Sequence, residues 1–549
     1  MRAIKILLVI FLGLAYIAGL FVPVMNHNAA HHANIALHMY LTGDYINLID
    51  QGRDYLDKPH LLFWLAALAY HIFGISSFGY KIFSFVFVVV GIYSTYRLGK
   101  IAYGEKTGMY SALILCSAFA FILSVNDVRM DAMVVSCIAF ATWQLFAYFF
   151  QQNKWALLFG ALGLALGFST KGMVAIALPV MATAFYFIQQ NKFKAVFSVK
   201  WIPLALITIV FLFPVFYSFY LQYDLHPEKI VRGRSGNSGL QFLLFGQSVQ
   251  RYTGEGWGSR SSDPFYLIHT FMWAFLPWCF IAYIALFKNI REWFRIKFRL
   301  TDKTDFAFTA VAFIIFLLVS FSRFKNAHYV NILFPYFSIV TAHFLLTVDR
   351  RYLKSIFWLQ LITSILFIGL IIVINTWFFP VTNWLIAITA FFSLVLFIRT
   401  ATNRKFDILS SAVWLSFAAM SFGYFLLNFN FYPKLLPYQS GHGLAKRIKE
   451  EKIDPRKIYY LQGGDKSYSM EFSLNTLVPV ITVDSINNFP KPVYLFAGKN
   501  YLDTLKKHGI VFDTLINVSH YNVSTIKYKF LNPATRIQTF SPQYIIQIK

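Results

Sequence analysis

Charged residues are scarce in this sequence. Only 13% of its 549 residues are charged, whereas 57% are hydrophobic and 19% are aromatic. Soluble domains carry about 25% charged residues. The composition therefore excludes an ordinary soluble globular protein and predicts that a lipid bilayer surrounds much of the chain.

Cysteine and acidic residues are also few. Cys116, Cys137 and Cys279 lie singly inside apolar runs, a spacing that argues against a disulfide framework or a zinc cluster. Asp and Glu number 24 against 49 Lys and Arg, which gives a formal charge of +25. The basic residues form short clusters between apolar runs rather than a continuous stripe, so we expect no nucleic-acid partner.

Long apolar runs, by contrast, are abundant. A helix needs roughly 20 apolar residues to cross a hydrocarbon core of about 30 Å. This criterion predicts an all-α polytopic membrane protein with about thirteen transmembrane helices. They lie near residues 4–24, 80–99, 107–125, 131–150, 155–169, 172–188, 201–220, 264–287, 306–322, 327–346, 354–374, 380–398 and 408–428. The first run could also be a cleaved signal peptide, which would leave the remaining topology unchanged.

The charges of the loops predict an orientation. With the N-terminus in the cytoplasm, every inner loop is basic, as the positive-inside rule requires. The outer loops then hold most of the acidic residues of the membrane region, namely Asp44, Asp50, Asp54, Asp57, Asp127, Asp131, Asp224, Glu228, Glu255 and Asp263. We therefore expect the polar chemistry of the protein to face outward.

The composition changes after about residue 430. We divide the chain into a transmembrane domain, 1–430, and a C-terminal domain, 431–549, which an odd number of spans places outside the membrane with the outer loops. Helical stretches at Gly443–Lys452 and Leu502–His508 alternate with β-rich runs at Lys457–Leu461, Leu477–Val483 and Val493–Phe496. This pattern predicts a small extracytoplasmic α/β domain, in which we recognise no catalytic motif.

The first outer loop, residues 25–79, concentrates polar motifs. Helical apolar spacing at Ala29–Leu41 and His60–Phe73 predicts two helices in the membrane interface. Between them lie Thr42-Gly43-Asp44-Tyr45 and Tyr55-Leu56-Asp57-Lys58-Pro59, and the proline suits the start of the second helix. Carboxylates and one lysine are thus predicted at the membrane surface.

These motifs, taken in order, resemble those of the GT-C membrane glycosyltransferases, in particular the bacterial branch related to the lipid A aminoarabinose transferase and, more distantly, the protein O-mannosyltransferases. The resemblance covers about residues 1–345. Its further pieces are Asn126-Asp127-Val128-Arg129-Met130-Asp131, Ser169-Thr170-Lys171-Gly172, Gln247 to Arg251, Leu276-Pro277-Trp278 and Arg323 to Tyr329.

The resemblance implies an enzyme that moves a sugar from a polyprenyl-phosphate donor to lipid A, another glycan or a protein. It implies a bacterial inner-membrane protein whose N-terminus is cytoplasmic and whose C-terminal domain is periplasmic. The sequence does not reveal which sugar or acceptor is used.

A lipid-linked phosphate donor requires cations at headgroup depth, which stabilise the leaving phosphate. The candidates at the predicted outer edges are Lys58, Lys171, Arg251, Arg323 and Lys325. The alternative is that these side chains reach lipid phosphates without a catalytic role.

Transfer with inversion also requires a general base that takes the proton of the acceptor hydroxyl. The resemblance implies an aspartate just before the first interfacial helix, but Asn28 stands at the aligned position. Three explanations remain open. A histidine, His27, His31 or His32, replaces the base; or Asp44 or Asp131 serves; or the chain is inactive or receives the base from a partner.

Asp57 matches an acid that helps to bind a divalent ion in related transferases. A divalent ion could therefore bind here, although no second ligand is evident apart from His226 and Glu228 in another outer loop. The alternative is an ordinary ion pair between Asp57 and Lys58. No other cofactor is predicted.

Two further functions are compatible with the topology. A lipid transporter or flippase usually places ionisable groups near the bilayer midplane, whereas the centres of these predicted spans contain essentially none. A catalytically degenerate binder of polyprenyl-phosphate sugars would share every prediction except turnover, and Asn28 is the argument for it.

Overall fold

The structure is a computed structural model that describes residues 2–25, 29–246, 250, 263–300, 305–403 and 407–549. Most of the chain before the C-terminal domain is helical. The longer helices there are Arg2–Phe21, Ala29–Thr42, Leu61–Phe73, Ser77–Tyr103, Glu105–Cys116, Phe119–Asn126, Asp131–Phe150, Trp155–Lys171, Val174–Gln189, Trp201–Phe219, Tyr266–Ala274, Cys279–Arg295, Ala307–Phe321, Phe334–Thr347, Leu353–Val373, Trp384–Thr402 and Ile408–Leu426.

Within these described ranges, eight helices are long and apolar enough to cross a membrane, or nine if Glu105–Cys116 and Phe119–Asn126, which meet at a bend of 52°, form one span. The predictions near 155–169, 172–188 and 306–322 correspond to shorter apolar helices. The prediction near 264–287 corresponds to two helices interrupted between Ala274 and Cys279. The polytopic helical fold is confirmed, and the number thirteen stays a prediction.

The helices divide into a buried centre and a lipid-facing periphery. Ile408–Leu426 is buried from Ser410 onward, whereas Trp201–Phe219 and Trp384–Thr402 expose large apolar side chains such as Phe213 and Phe391. Lipid tails are as apolar as leucine, so the centre is held by close packing at small residues. A side chain at Gly91 would collide with Ser136 of the neighbouring helix.

One lysine was not recognised in the sequence as a structural residue. Lys81 is fully buried near the start of Ser77–Tyr103, and its Nζ donates hydrogen bonds to the carbonyls of Gly19 at 3.1 Å and Val22 at 2.5 Å. A cation at a helix C-terminus satisfies carbonyls that lack helical partners. Lys81 therefore anchors the end of Arg2–Phe21, where the first outer loop begins.

The first outer loop folds as the apolar spacing predicts, with helices Ala29–Thr42 and Leu61–Phe73. Between them, β1 (Ile49–Asp50) pairs with β2 (Arg53–Asp54) as a hairpin. The turn residues Gln51 and Gly52 both have positive φ, as a tight hairpin turn requires. This hairpin carries the polar middle of the loop toward the C-terminal domain.

Two buried polar side chains fix the loop in place. The amide of Gln222 exchanges hydrogen bonds with the backbone of Leu48 at 2.9 and 3.0 Å and donates to Asp54 at 2.8 Å. The ring of His60 lies 2.8 Å from the carbonyl oxygen of Ile46, and burial lowers the pKa of His60 to about 4. His60 is thus a neutral structural histidine.

The C-terminal domain contains a five-stranded sheet in the order β4-β3-β5-β7-β6. Its strands are β3 (Ile458–Leu461), β4 (Val480–Ile481), β5 (Val493–Gly498), β6 (Phe512–His520) and β7 (Ser541–Ile548), and its longer helices are Ser440–Glu450, Tyr468–Leu474 and Lys499–Lys507. β3 runs parallel to β4 and β5, whereas β7 runs antiparallel to β5 and β6. The predicted α/β domain is confirmed. The division between residues 430 and 431 stays a prediction.

Sequence reasoning found β3, β4, β5 and two of the three longer helices but missed β6 and β7. β6 is exposed along much of its length and carries only one fully buried side chain, Ile516. Such a strand lacks the clear alternation by which a half-buried strand is recognised. Its pairing with β7 is a tertiary contact.

The C-terminal domain contacts the first outer loop through a buried carboxyl group. Glu471 accepts hydrogen bonds from Asn34 Nδ2 at 3.0 Å and from Gln51 Nε2 at 3.1 Å. Burial raises the pKa of Glu471 to about 8. The carboxyl group is therefore protonated at neutral pH, when it can also donate a hydrogen bond.

We expect this contact to weaken with rising pH. The pKa of Glu471 is raised from 4.5 to about 8 on folding, so its contribution to stability is full below the unfolded value and is lost as the pH rises through the folded one. The loss is at most about 1.4 kcal/mol per pH unit. Thermal unfolding of the full chain between pH 5 and pH 9 should show a midpoint that falls more steeply than that of Glu471→Gln.

The matched control for this prediction is Glu450→Gln, since Glu450 is exposed and pairs with the exposed Lys446 at 3.7 Å. This variant should keep the pH dependence of the natural chain. If the unfolding midpoints of the natural chain and of Glu471→Gln fall equally with rising pH, the raised pKa of Glu471 is contradicted.

Candidate active site

A polar cavity of about 990 Å³ lies where the first outer loop, several helix ends, the segment 230–242 and the C-terminal domain meet. Cations are more numerous than carboxylates in its lining. The cations are Arg53, Lys58, Arg129, Lys171, Arg232 and Lys466, and the carboxylates are Asp50, Asp54, Asp57 and Asp131. A cavity with this lining is suited to an anionic ligand.

Lys58 and Asp57 stand side by side at the wall. Lys58 Nζ lies 3.3 Å from both carboxylate oxygens of Asp57, and Arg232 approaches the same carboxylate at 3.6 Å. The Lys58 side chain is only 14% exposed. The predicted alternative of an Asp57 to Lys58 ion pair is therefore present, with a second cation that the sequence did not indicate.

Arg232 is held at the tip of a tight turn. Val231 and Arg234 exchange backbone hydrogen bonds of 2.9 and 3.2 Å, and both residues between them, Arg232 and Gly233, have positive φ. A left-handed conformation is uncommon for arginine and is typical of functional sites. The Arg-Gly pair at the turn was the one signal in the sequence that could have indicated Arg232.

Asp131 and Lys171 form a buried ion pair. Their side chains are each 6% exposed, and Lys171 Nζ lies 2.5 Å from Asp131 Oδ1. The ammonium group also lies 5.3 Å from the centre of the Tyr329 ring. Two motifs that are 40 residues apart in the sequence thus meet at the cavity.

Arg129 is a further residue that sequence reasoning did not single out, although its motif was recognised. Its guanidinium donates hydrogen bonds of 2.9 and 2.6 Å to Asp127 Oδ2. The nearby Asp127 and Asp131 charges outweigh the effect of burial and raise the pKa of Arg129. The arginine is permanently charged and fixed in orientation at the cavity wall.

His31 and Asp50 form the second pair of interest. His31 Nε2 lies 3.0 Å from Asp50 Oδ2, within ion-pair distance although not with the angle of a directed hydrogen bond. The His31 ring stacks on His32 at 5.4 Å and lies tilted against Tyr468 at 4.8 Å. Of the three histidines considered as bases, His31 is the one placed beside a carboxylate within the part of the chain that the structure describes.

His32 also lines the cavity but differs in its environment. Burial, and then the electrostatic effect of neighbouring His31, hold the pKa of His32 well below its ordinary value. Its Nε2 lies 3.5 Å from the hydroxyl of Tyr55. His32 is a neutral, packed ring.

Asp44 does not line the cavity. Its oxygens accept hydrogen bonds from the backbone of Ile46 at 3.1 Å and of Asn47 at 3.0 Å, and from the Asn47 amide at 2.8 Å. Burial opposes ionisation, but these hydrogen bonds lower the pKa of Asp44 overall. The structure places this candidate base in a turn, where it organises the loop.

Arg323 and Lys325 also lie outside the cavity lining, whereas their neighbours Phe324 and Asn326 belong to it. The backbone is extended at Asn326, and successive side chains of an extended segment point to opposite sides. Lys325 instead donates a 2.7 Å hydrogen bond to the carbonyl oxygen of Asp263. A donor-binding role for these two cations stays a prediction.

Two predicted site residues, Asn28 and Arg251, lie outside the described residues, as does His27. The divalent ion predicted at Asp57 finds no support in the ranges that are described, where no group of three or more His, Cys, Asp or Glu side chains could hold one. Asp57 contacts cations instead. His226 pairs with Glu228 at 2.9 Å on the exposed surface.

The C-terminal domain contributes two cavity residues, Lys466 and Tyr468. No catalytic motif marks them in the sequence. They follow β3 in the chain, and only the contact between this domain and the first outer loop brings them to the site.

Comparisons with known proteins agree with the motifs. The sequence profile of the dolichyl-phosphate-mannose-protein mannosyltransferase family matches residues 57–217. An uncharacterized protein of Aquifex aeolicus is 24% identical over 510 residues, which cover 91% of this chain and 90% of the relative. The undecaprenyl phosphate-alpha-4-amino-4-deoxy-L-arabinose arabinosyl transferase of Pseudomonas aeruginosa is 28% identical over 198 residues. That match spans only about a third of each protein, 34% of this chain and 35% of the relative.

The fold is that of a solved membrane protein. The crystal structure of ArnT from Cupriavidus metallidurans bound to undecaprenyl phosphate superimposes with a TM-score of 0.74 over 99% of this chain and 97% of ArnT, at 17% sequence identity. The resemblance to the GT-C glycosyltransferases of the aminoarabinose transferase and protein O-mannosyltransferase group is confirmed. The chain is a multi-pass membrane protein with this fold.

Proposed function

We propose that this protein is a glycosyltransferase that moves a sugar from a polyprenyl-phosphate donor to an acceptor hydroxyl at the periplasmic face of a bacterial inner membrane. The observation that carries the proposal is the cavity rich in cations at the ends of the helices, in a chain with the fold of a protein crystallised with undecaprenyl phosphate. The acceptor is lipid A, another glycan or a protein.

The donor phosphate binds at Lys58, with Arg232 beside it. Both cations lie beside the Asp57 carboxylate, Lys58 at 3.3 Å and Arg232 at 3.6 Å. The leaving polyprenyl phosphate gains charge as the glycosidic bond breaks, and prearranged cations stabilise that charge in the transition state. Lys171, held by Asp131, supplies a third cation at the cavity wall.

His31 acts as the general base in place of the aspartate expected at position 28. Nε2 lies 3.0 Å from Asp50 Oδ2, and the other ring nitrogen, Nδ1, accepts the proton of the acceptor hydroxyl. Asp50 orients the ring and stabilises its protonated form, as a carboxylate does beside a catalytic histidine. Asp131 is unsuited to this role because its carboxylate is bound to Lys171.

These groups account for each bond and for the proton in the sugar transfer. The acceptor oxygen attacks the anomeric carbon from the face opposite the phosphate, and the bond between that carbon and the phosphate oxygen breaks with its electron pair. Polyprenyl phosphate leaves beside Lys58 and Arg232. The hydroxyl proton passes to His31, which releases it to solvent.

The test is transfer of a radiolabelled sugar from polyprenyl phosphate to envelope extracts by the full chain in detergent. Lys58→Ala should lower kcat/KM for the donor by about 10²–10³-fold, the effect of removing one stabilising group from an electrostatic site. Lys446→Ala is the matched control, because Lys446 is 78% exposed on the surface of the C-terminal domain, and it should transfer at the natural rate.

The outcomes separate the alternatives. Donor binding that is weakened by Lys58→Ala, with no turnover in the natural chain, would identify a non-catalytic binder. Turnover that appears only in Asn28→Asp would identify a degenerate transferase and would overturn the role of His31. Equal transfer by Lys58→Ala and Lys446→Ala would overturn the donor site.

A further inference from the structure

A second cavity, of about 460 Å³, lies in the C-terminal domain. It lies at one end of the strands, where β3, β5 and β6 end and β7 begins. The carboxyl ends of parallel strands are the usual place of ligand clefts in α/β domains. Its volume lies within the range of sites for small ligands, about 300–1,000 Å³.

The two cavities share a wall. Lys466 and Tyr468, which follow β3, line both of them. Lys466 therefore brings its positive charge to the wall between the two cavities. A ligand seated in the second cavity therefore lies directly beside the one that holds the proposed reacting groups.

The lining of the second cavity is rich in amide groups. Asn500, Asn522 and Gln543 line it together with Tyr521 and Tyr468. An amide side chain both donates and accepts hydrogen bonds, which matches the hydroxyl groups of a sugar ring, and a tyrosine combines an apolar ring face with a polar tip. This combination favours a saccharide over an apolar chain.

The cavity also carries positive charge. Two cations, Lys466 and Lys499, and one carboxylate, Asp465, line it. The helix Lys499–Lys507 begins at the cavity. Asp465 lies against the end of β5, where a side chain at Gly498 would collide with it. Two cations against one carboxylate favour a saccharide that bears an anionic group.

The second cavity is also fixed to the membrane domain. Gln439, which lines it and is fully buried, donates a hydrogen bond of 3.2 Å to the carbonyl oxygen of Val24, just after the first helix. The cavity consequently stands close to the end of a span.

We infer that this cleft of the C-terminal domain, between Lys466 and Lys499, binds the anionic saccharide part of the acceptor and presents its hydroxyl to the first cavity across Lys466 and Tyr468. The identification of this ligand as the acceptor rests on the proposed transferase function. Binding of an anionic saccharide in the cleft does not depend on turnover.

Binding is tested first, without catalysis. The probe is tritiated maltose 1-phosphate, with maltose as the uncharged comparison, on the full chain in detergent. We expect saturable binding of the phosphorylated sugar, weaker binding of maltose, and at least a tenfold loss of affinity in Lys499→Ala and in Asn500→Ala. Lys446→Ala should bind as the natural chain does. Equal binding by all variants, or no binding to the natural chain, overturns the inference.

Transfer is tested second. With envelope lipids as acceptors, Asn500→Ala should raise KM for the acceptor at least tenfold while kcat and the donor KM stay unchanged. Separate competition by lipid-extracted and by water-soluble glycans identifies which source carries the saccharide, and competition by an unglycosylated peptide alone would overturn the inference. Absence of transfer together with intact, variant-sensitive probe binding would count against the proposed function and in favour of the saccharide site.

Discussion

His31→Ala should lower kcat for sugar transfer by about 10²–10⁴-fold, the usual contribution of a general base. The donor KM should change little, because His31 faces Asp50 and not the cations of the proposed phosphate site. Adding imidazole to the buffer should restore part of the rate in His31→Ala, since a small base can enter the vacated space. Initial rates with labelled donor at saturating acceptor measure both effects.

The matched control is His38→Ala. His38 belongs to the same helix, Ala29–Thr42, but it is not among the residues that line the cavity, so its loss should leave kcat unaltered. Asp50→Asn should lower kcat as well. The double variant His31→Ala/Asp50→Asn should have nearly the same kcat as His31→Ala alone, because the two side chains act as one unit. A natural rate in His31→Ala would remove this histidine from the mechanism.

Lys171→Met should destabilise the protein strongly. It leaves Asp131 charged and buried without its partner at 2.5 Å, and removal of one member of a buried ion pair costs about 3–5 kcal/mol. The double variant Lys171→Met/Asp131→Asn removes both charges and should recover most of the lost stability. Thermal unfolding of the full chain in detergent measures the three midpoints.

The double variant also separates stability from donor binding. We expect its turnover to remain at least tenfold below the natural value, because the cavity has lost one of its cations. Recovery of both the unfolding midpoint and the turnover would contradict a donor role for Lys171 and leave the pair purely structural. A midpoint in Lys171→Met equal to that of the natural chain would contradict the burial of the pair.

Local sequence signals identified parts of the site but not their arrangement. The sequence identifies Asp57-Lys58 next to a helix start and Lys171 at a helix end. Helix boundaries and charges at a membrane edge follow local rules. Arg232 was missed, because its Arg-Gly pair indicates only a turn, and the approach of that turn to Asp57 depends on the tertiary structure. Arg323 and Lys325 carry the charge that a phosphate site needs, but the structure places both outside the cavity lining.

The sequence by itself determined that this is an integral membrane protein with a helical GT-C fold and a small α/β domain. It also determined that the polar motifs resemble those of a transferase. These properties follow from composition, apolar run length and short motifs, which act over one or two helical turns. The tertiary structure alone decided which charges meet, since the pairs Lys171–Asp131 and His31–Asp50 and the approach of Lys466 join elements distant in the chain. Burial sets the strength of such contacts, and burial depends on how whole elements pack.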